Sequence, residues 1–196
     1  AGIFATGAAL CNDAHVRHAE GTAWTVEGDP MEGALVTLAT RAGLDVERLR
    51  QDWRRLDEVP FDAVHRYMAT LHRPVDAPAV VFVKGAPEQV LAMCRDQQGA
   101  EGVQALDAAY WLEQIDALAA KGYRVLGLAS RVPVEGRDMV DMADIKDLTD
   151  LVNGTRLVIE VKNGINPDAM LVSEHFHDSG LDMVGDGWHA NMNYSA

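Results

Sequence analysis

A lone cation closes an apolar run in "VVFVKGAPEQVLAMC", residues Val80 to Cys94. Burying an ammonium is costly unless it meets water or an anion, so Lys84 either snorkels or binds something. Gly85 removes a side chain next to it, which lets a ligand approach the backbone. The helix expected after Pro87 opens with N–H groups that lack intrahelical partners. A lysine beside such a turn suits a phosphate or the edge of a purine. Phe61, in "EVPFDAVHRYMAT", follows a proline that fixes the backbone. Its ring is either core or a stacking surface for a base. Arg66 lies five residues further on and can reach the same ligand. Arg124, in "KGYRVLGLAS", is expected at the start of a strand, where a guanidinium can hold a phosphate.

The last forty residues offer other chemistry. "SEHFHDSG" holds His175, His177 and Asp178, and "MVGDGWHANMN" holds Asp186 and His189. Alternating histidines can ligate a metal from a strand, or simply sit in a solvated loop. Cys11 and Cys94 are far apart and belong to no CxxC pair, which fits two reduced thiols better than a zinc ribbon or a disulfide framework. Several familiar signatures are missing. There is no GxxxxGK[ST] phosphate loop, no GxGxxG fingerprint after a strand and no GxSxG elbow.

The elements that must position these groups are legible in part. "GDPMEGALVTLATRAGLD" predicts a turn at Gly28–Pro30 and a helix ending at Gly43. "LDVERLRQDW" predicts a second helix with Val46, Leu49 and Trp53 on one face. "RLDEVPFD" reads as extended, since Pro60 excludes a helix interior. "HRYMATLHR" and "PAVVFVKG" read as strands, joined by a longer loop into an antiparallel hairpin. "APEQVLAMC" and "LDAAYWLEQIDALAAKG" read as helices, and "YRVLGLASRV" as another strong strand. "TRLVIEVKNG" is a further candidate strand near the C-terminal end. This order predicts an α+β fold built on an antiparallel sheet with flanking helices, not a doubly wound parallel sheet.

Composition narrows the class. The chain has 196 residues, 48% apolar and 24% charged, with a formal net charge of -13. Such a length can bury a core without staples. The acidity argues against general nucleic-acid binding, which needs a basic surface, but leaves room for one local pocket for a small polyanion. No run of about 18 apolar residues is present, so no membrane span is expected. No signal peptide is expected either.

Five segments together carry more than any of them singly. "LCNDA" (10–14), "EGDPMEGAL" (27–35), "PFDAVHRYMAT" (60–70), "VFVKGAPEQVLAMC" (81–94) and "GYRVLGLASR" (122–131) occur in this order. In this they resemble the nucleotide-binding (N) domain of bacterial cation-transporting P-type ATPases of the calcium- and sodium-pump kind, over about residues 8–135. The resemblance implies a twisted antiparallel sheet of about six strands flanked by helices on both faces. It implies a nucleotide-binding domain over residues 1–137 and a divergent or non-native tail over 138–196, possibly partly packed on that domain. It implies that Phe61 stacks on adenine, that Lys84 lines the adenine pocket with Met68 and Gly85 as its wall, and that Glu32 lies near the adenine amino group. Arg124 would reach the phosphates. Arg66 stands where the family usually has lysine, which keeps the charge and changes the donor geometry.

The same resemblance implies ATP, delivered as Mg-ATP, as the ligand. It implies a role in ATP-driven cation translocation at the cytoplasmic face of a membrane, alongside phosphorylation and actuator domains. The phosphorylated aspartate of a DKTGT motif and the TGD motif do not occur in this sequence. The chain is therefore expected to be a soluble cytosolic piece that binds ATP, with no catalytic residue and no magnesium site of its own. Two alternatives are a scaffold whose nucleotide pocket has degenerated, and a phosphohydrolase using Asp186, His189 or the His175/His177 pair.

Overall fold

Local chemistry sets the first elements. Asp29 caps the helix that follows it, its Oδ1 accepting the N–H groups of Met31 at 2.9 Å and Glu32 at 3.2 Å, with Pro30 in the first turn. Gly43, at φ 88°, ends the same helix, with the Leu44 N–H returning to the Ala39 carbonyl at 3.1 Å. A computed structural model describes residues 2–18, 24–99, 102–133, 155–158, 172–173 and 190–191.

In chain order the elements are α1 (Ile3–Leu10), β1 (His15–Arg17), β2 (Thr25–Glu27), α2 (Pro30–Arg41), α3 (Val46–Asp52), β3 (Trp53–Asp62), β4 (Tyr67–Pro74) and β5 (Val80–Gly85). They continue with α4 (Pro87–Ala92), β6 (Cys94–Gly99), β7 (Gly102–Ala105), α5 (Ala108–Ala119), β8 (Gly127–Arg131), β9 (Thr155–Val158), β10 (Val172–Ser173) and β11 (Ala190–Asn191). The chain divides into two compact units, residues 1–46 with 162–196, and residues 47–161.

In the first unit, β1 and β2 pair antiparallel and α2 packs close to them. A Cβ on Gly33 would run into the Val26 side chain, so the glycine sets how near helix and hairpin come. Short strands β10 and β11 pair in parallel.

The second unit holds a seven-stranded sheet in the order β3-β4-β5-β8-β9-β6-β7. Its pairings are antiparallel except β6 with β9. Both the α+β class and the mainly antiparallel sheet agree with the sequence, and the sheet has one strand more than about six. Residues paired directly across antiparallel strands share a face. One face carries Ala69, Leu71, Val81, Val83 and Ala129, buried together with Val90 and Leu91 of α4. Trp111 and Ile115 of α5 pack against this cluster. Fit is close here: a Cβ on Gly127 would lie 2.7 Å from that of Val90. The opposite face carries Met68, Thr70, Phe82, Lys84 and Leu128, all buried.

Four sequence expectations change. Trp53 is not the last turn of a helix but the first residue of β3, where it pairs with Pro74 and its ring lies 6.1 Å from that of Phe82. The helix expected through Cys94 stops at Ala92, because Cys94 opens β6. The strand expected from Tyr123 starts only at Gly127. Gly122, at φ 81°, ends α5, and the Tyr123 N–H is used on the Leu118 carbonyl at 3.1 Å. Finally, "CRDQQG" and "GVQA" form strands although they show no apolar pattern. Gln97 explains part of this, its Oε1 accepting from the Asp107 N–H at 2.8 Å and the Trp111 Nε1–H at 2.7 Å.

Candidate functional site

Six of the seven expected site residues gather at one end of the seven-stranded sheet. The C-terminal ends of β3 and β5 meet the N-terminal ends of β4 and β8 there, as antiparallel pairing requires. Phe61 leaves β3 at this end, Arg66 closes the turn into β4, and Met68 follows it. Lys84 and Gly85 end β5, and Arg124 lies three residues before β8. From β3 to β8 the end spans three strand spacings, roughly 15 Å.

Phe61 falls where the β3–β4 ladder shifts register between Val59 and Asp62. β3 is an edge strand, the place where Pro60, with no N–H, is tolerated. The irregularity turns Phe61 outward, and 62% of it is exposed. Of the two readings left open by the sequence, core or stacking surface, the core reading is excluded by this exposure.

The turn after Phe61 is built by Asp62. Its Oδ1 accepts the N–H groups of Val64 at 2.8 Å and His65 at 3.2 Å, and its carbonyl accepts that of Arg66 at 2.6 Å. Arg66 has φ 57°. Its Nη1 lies 2.7 Å from Glu88 Oε1. Tyr67, the next residue, is 3% exposed, and burial pushes its phenol above the usual range.

Lys84 is 4% exposed, with Met68 of β4 on one side and Leu128 of β8 on the other. Its stem lies on the buried face opposite α4. Gly85 proves to be dictated by the chain itself: a Cβ there would collide with the Arg66 carbonyl and with Tyr67. The α4 N–H groups expected to await a ligand are largely used as well. Ala86 donates to the Arg66 carbonyl at 2.8 Å, Pro87 has no N–H, and Gln89 and Val90 donate to the Ala86 carbonyl at 3.0 and 3.1 Å. Arg124 is exposed, in the segment between α5 and β8.

The seventh residue, Glu32, belongs to the first unit. It lies in the first turn of α2, and its Oε2 accepts the Asp13 N–H at 3.0 Å. Buried Asn12 ties the same corner: its Nδ2 donates to the Ala8 carbonyl at 3.0 Å and the Glu32 carbonyl at 2.8 Å, while its Oδ1 accepts the Ala14 N–H at 2.9 Å. The "LCNDA" and "GDPMEGAL" segments are thus two halves of one hydrogen-bonded joint. Asp186, His189, His175 and His177 lie outside the described residues. Among the described residues no three His, Cys, Asp or Glu side chains come together to hold a metal ion. Among them, too, no helix is long and apolar enough to cross a membrane.

A family model described as "P-type ATPase, cytoplasmic domain N" matches residues 3–152. The chain belongs to this family. Cation-transporting ATPase pma1 of Synechocystis sp. is 33% identical over 176 residues, which is 89% of this chain and 19% of that protein. The sodium/potassium exporting P-type ATPase cta3 of Schizosaccharomyces pombe is 34% identical over 124 residues, 63% of this chain and 12% of that protein. Human calcium-transporting ATPase type 2C member 1 is 37% identical over 127 residues, 62% of this chain and 13% of that protein. The chain therefore spans less than a fifth of the length of these relatives. Strand β9, at Thr155–Val158, lies beyond the stretch that the domain N model matches, yet completes the sheet of this domain N chain.

Proposed function

We propose that the sheet end holding Phe61, Arg66, Met68, Lys84, Gly85 and Arg124 binds ATP. The observation that carries this reading is the exposed Phe61 ring at the sheet end that also carries Arg66, Lys84 and Arg124. Adenine stacks on Phe61, with Met68 and Lys84 behind it. Arg66 and Arg124 face the phosphates, where guanidinium N–H groups form charge-assisted bonds. Glu32 enters this reading only through the family resemblance. The nucleotide arrives as Mg-ATP, and no step here depends on the metal.

In the whole protein the bound ATP is positioned for transfer of its terminal phosphoryl group to an aspartate outside this sequence. The whole protein is then a cation-transporting pump, and this domain works at the cytoplasmic face of its membrane beside phosphorylation and actuator domains. The relatives' names print different cations, sodium and potassium in one and calcium in another, so likeness to them selects no ion.

One exposed ring and a few cations support a dissociation constant in the sub-millimolar to millimolar range, on the order of -4 to -5 kcal/mol. Titrating ATP while following amide shifts at Phe61 and Lys84 tests the reading. Saturable shifts confined to this sheet end are expected. Silence at ~10 mM nucleotide, several times the weakest affinity expected, overturns it.

A further inference from the structure

Glu88 has no part in the reading above, yet it reaches into the site. Its Oε1 contacts Arg66 Nη1 at 2.7 Å, the two side chains being 42% and 49% exposed. An exposed ion pair alone contributes little. Here the backbone has already fixed the two turns that carry the pair. The Arg66 carbonyl accepts the Ala86 N–H at 2.8 Å, and Gly85 leaves no room for a side chain between them. Arg66 itself sits at φ 57°, where glycine or asparagine is the cheaper choice. A long cationic side chain in that conformation points to a task for the side chain rather than for the turn.

We infer that Glu88 is a positioning residue for nucleotide binding, holding the Arg66 guanidinium through one amino group while its other donors meet the phosphates. This rests on the ATP reading of the site. A guanidinium has five N–H donors in a rigid fork, so it can serve a carboxylate on one edge and a phosphate on another. The ammonium of a lysine carries its three donors on one nitrogen with no fixed fork, so it cannot divide two partners between separate edges. Arginine at position 66, where the family resemblance expects lysine, can therefore meet Glu88 and a phosphate at once.

The test uses the full 196-residue chain and two probes, ATP and adenosine, with Phe61 amide shifts as the readout. Glu88→Gln is expected to weaken ATP binding by about two- to fivefold, the scale of an exposed charge pair. Adenosine binding and the melting temperature should stay as in the wild type. In an Arg66→Ala background the same change should have no effect on ATP. Tighter ATP binding by Glu88→Gln would make Glu88 a competitor for Arg66 and overturn the inference. Equal losses for ATP and adenosine, an unchanged ATP affinity, or an effect that persists without Arg66 would overturn it too. A wild-type chain that binds neither probe instead removes the nucleotide reading itself.

Discussion

At the scale of single residues, Phe61 and Lys84 separate binding from stability. Phe61 is largely exposed, so Phe61→Ala removes stacking without opening a cavity. It should weaken ATP by about 1–3 kcal/mol and leave the melting temperature in place; parallel nucleotide titration and thermal melting check this, and a lower melting temperature would assign the ring to packing. The sequence alone leads one to expect that Lys84→Ala barely touches folding. Its 4% exposure within a central strand reverses that. Truncation deletes buried methylenes and should cost roughly 2 kcal/mol of stability. Lys84→Met keeps most of the stem and removes the ammonium, so it should spare stability and still weaken ATP. If Lys84→Met binds ATP as the wild type does, the lysine is structural. Motif spacing made both residues visible as candidates. Their opposite exposures were not legible, because exposure at Phe61 comes from a register shift in β3 that no local pattern announces.

At the scale of elements, β5 and α2 were readable because a β-branched run, a capping aspartate and terminal glycines all agree with the final structure, while β4 offered only a weak alternation. β6 and β7 were not, since a polar strand held by one glutamine side chain carries no hydrophobic period. β9 matters most for the sheet, because it alone joins β8 to β6. A chain shortened to residues 1–154 should lose amide-exchange protection along the β8 and β6 edges and melt at a lower temperature; unchanged protection would show that the β8-β9-β6 ladder adds nothing. The α4–β6 junction gives a pH prediction. Cys94 is buried, and burial, with the nearby Asp96 charge second, pushes its thiol up to about 12. The unfolded thiol ionises first, near 9, so stability falls as pH rises from about 9 towards 12 and is unaffected below that window. Cys94→Ala should flatten this part of the curve in denaturant melts taken across that range. An equally steep loss in the variant would place the titration elsewhere.

At the scale of the whole molecule, the proposed nucleotide site and the sequence bear on two separate questions, binding ATP and reacting with it. An exposed ring and three cations lie at one sheet end, and no DKTGT aspartate occurs anywhere in the sequence. A phosphoryl acceptor must sit in line with the leaving oxygen, with donors and metal around the transferred group. The chain on its own should therefore bind ATP without releasing phosphate above the uncatalysed rate. With terminally radiolabelled ATP it should also gain no acyl phosphate, the adduct that hydroxylamine removes. Both assays belong at nucleotide concentrations that saturate the Phe61 shifts, so that failure to bind is not mistaken for failure to react. Phosphate release lost on Asp186→Asn would move the chemistry to the C-terminal stretch and restore the phosphohydrolase reading. Release that survives that change and disappears with Phe61→Ala would place a second activity at the sheet end itself. Neither is expected, because the aspartate of a DKTGT motif, the phosphoryl acceptor that the family resemblance implies, does not occur in this sequence.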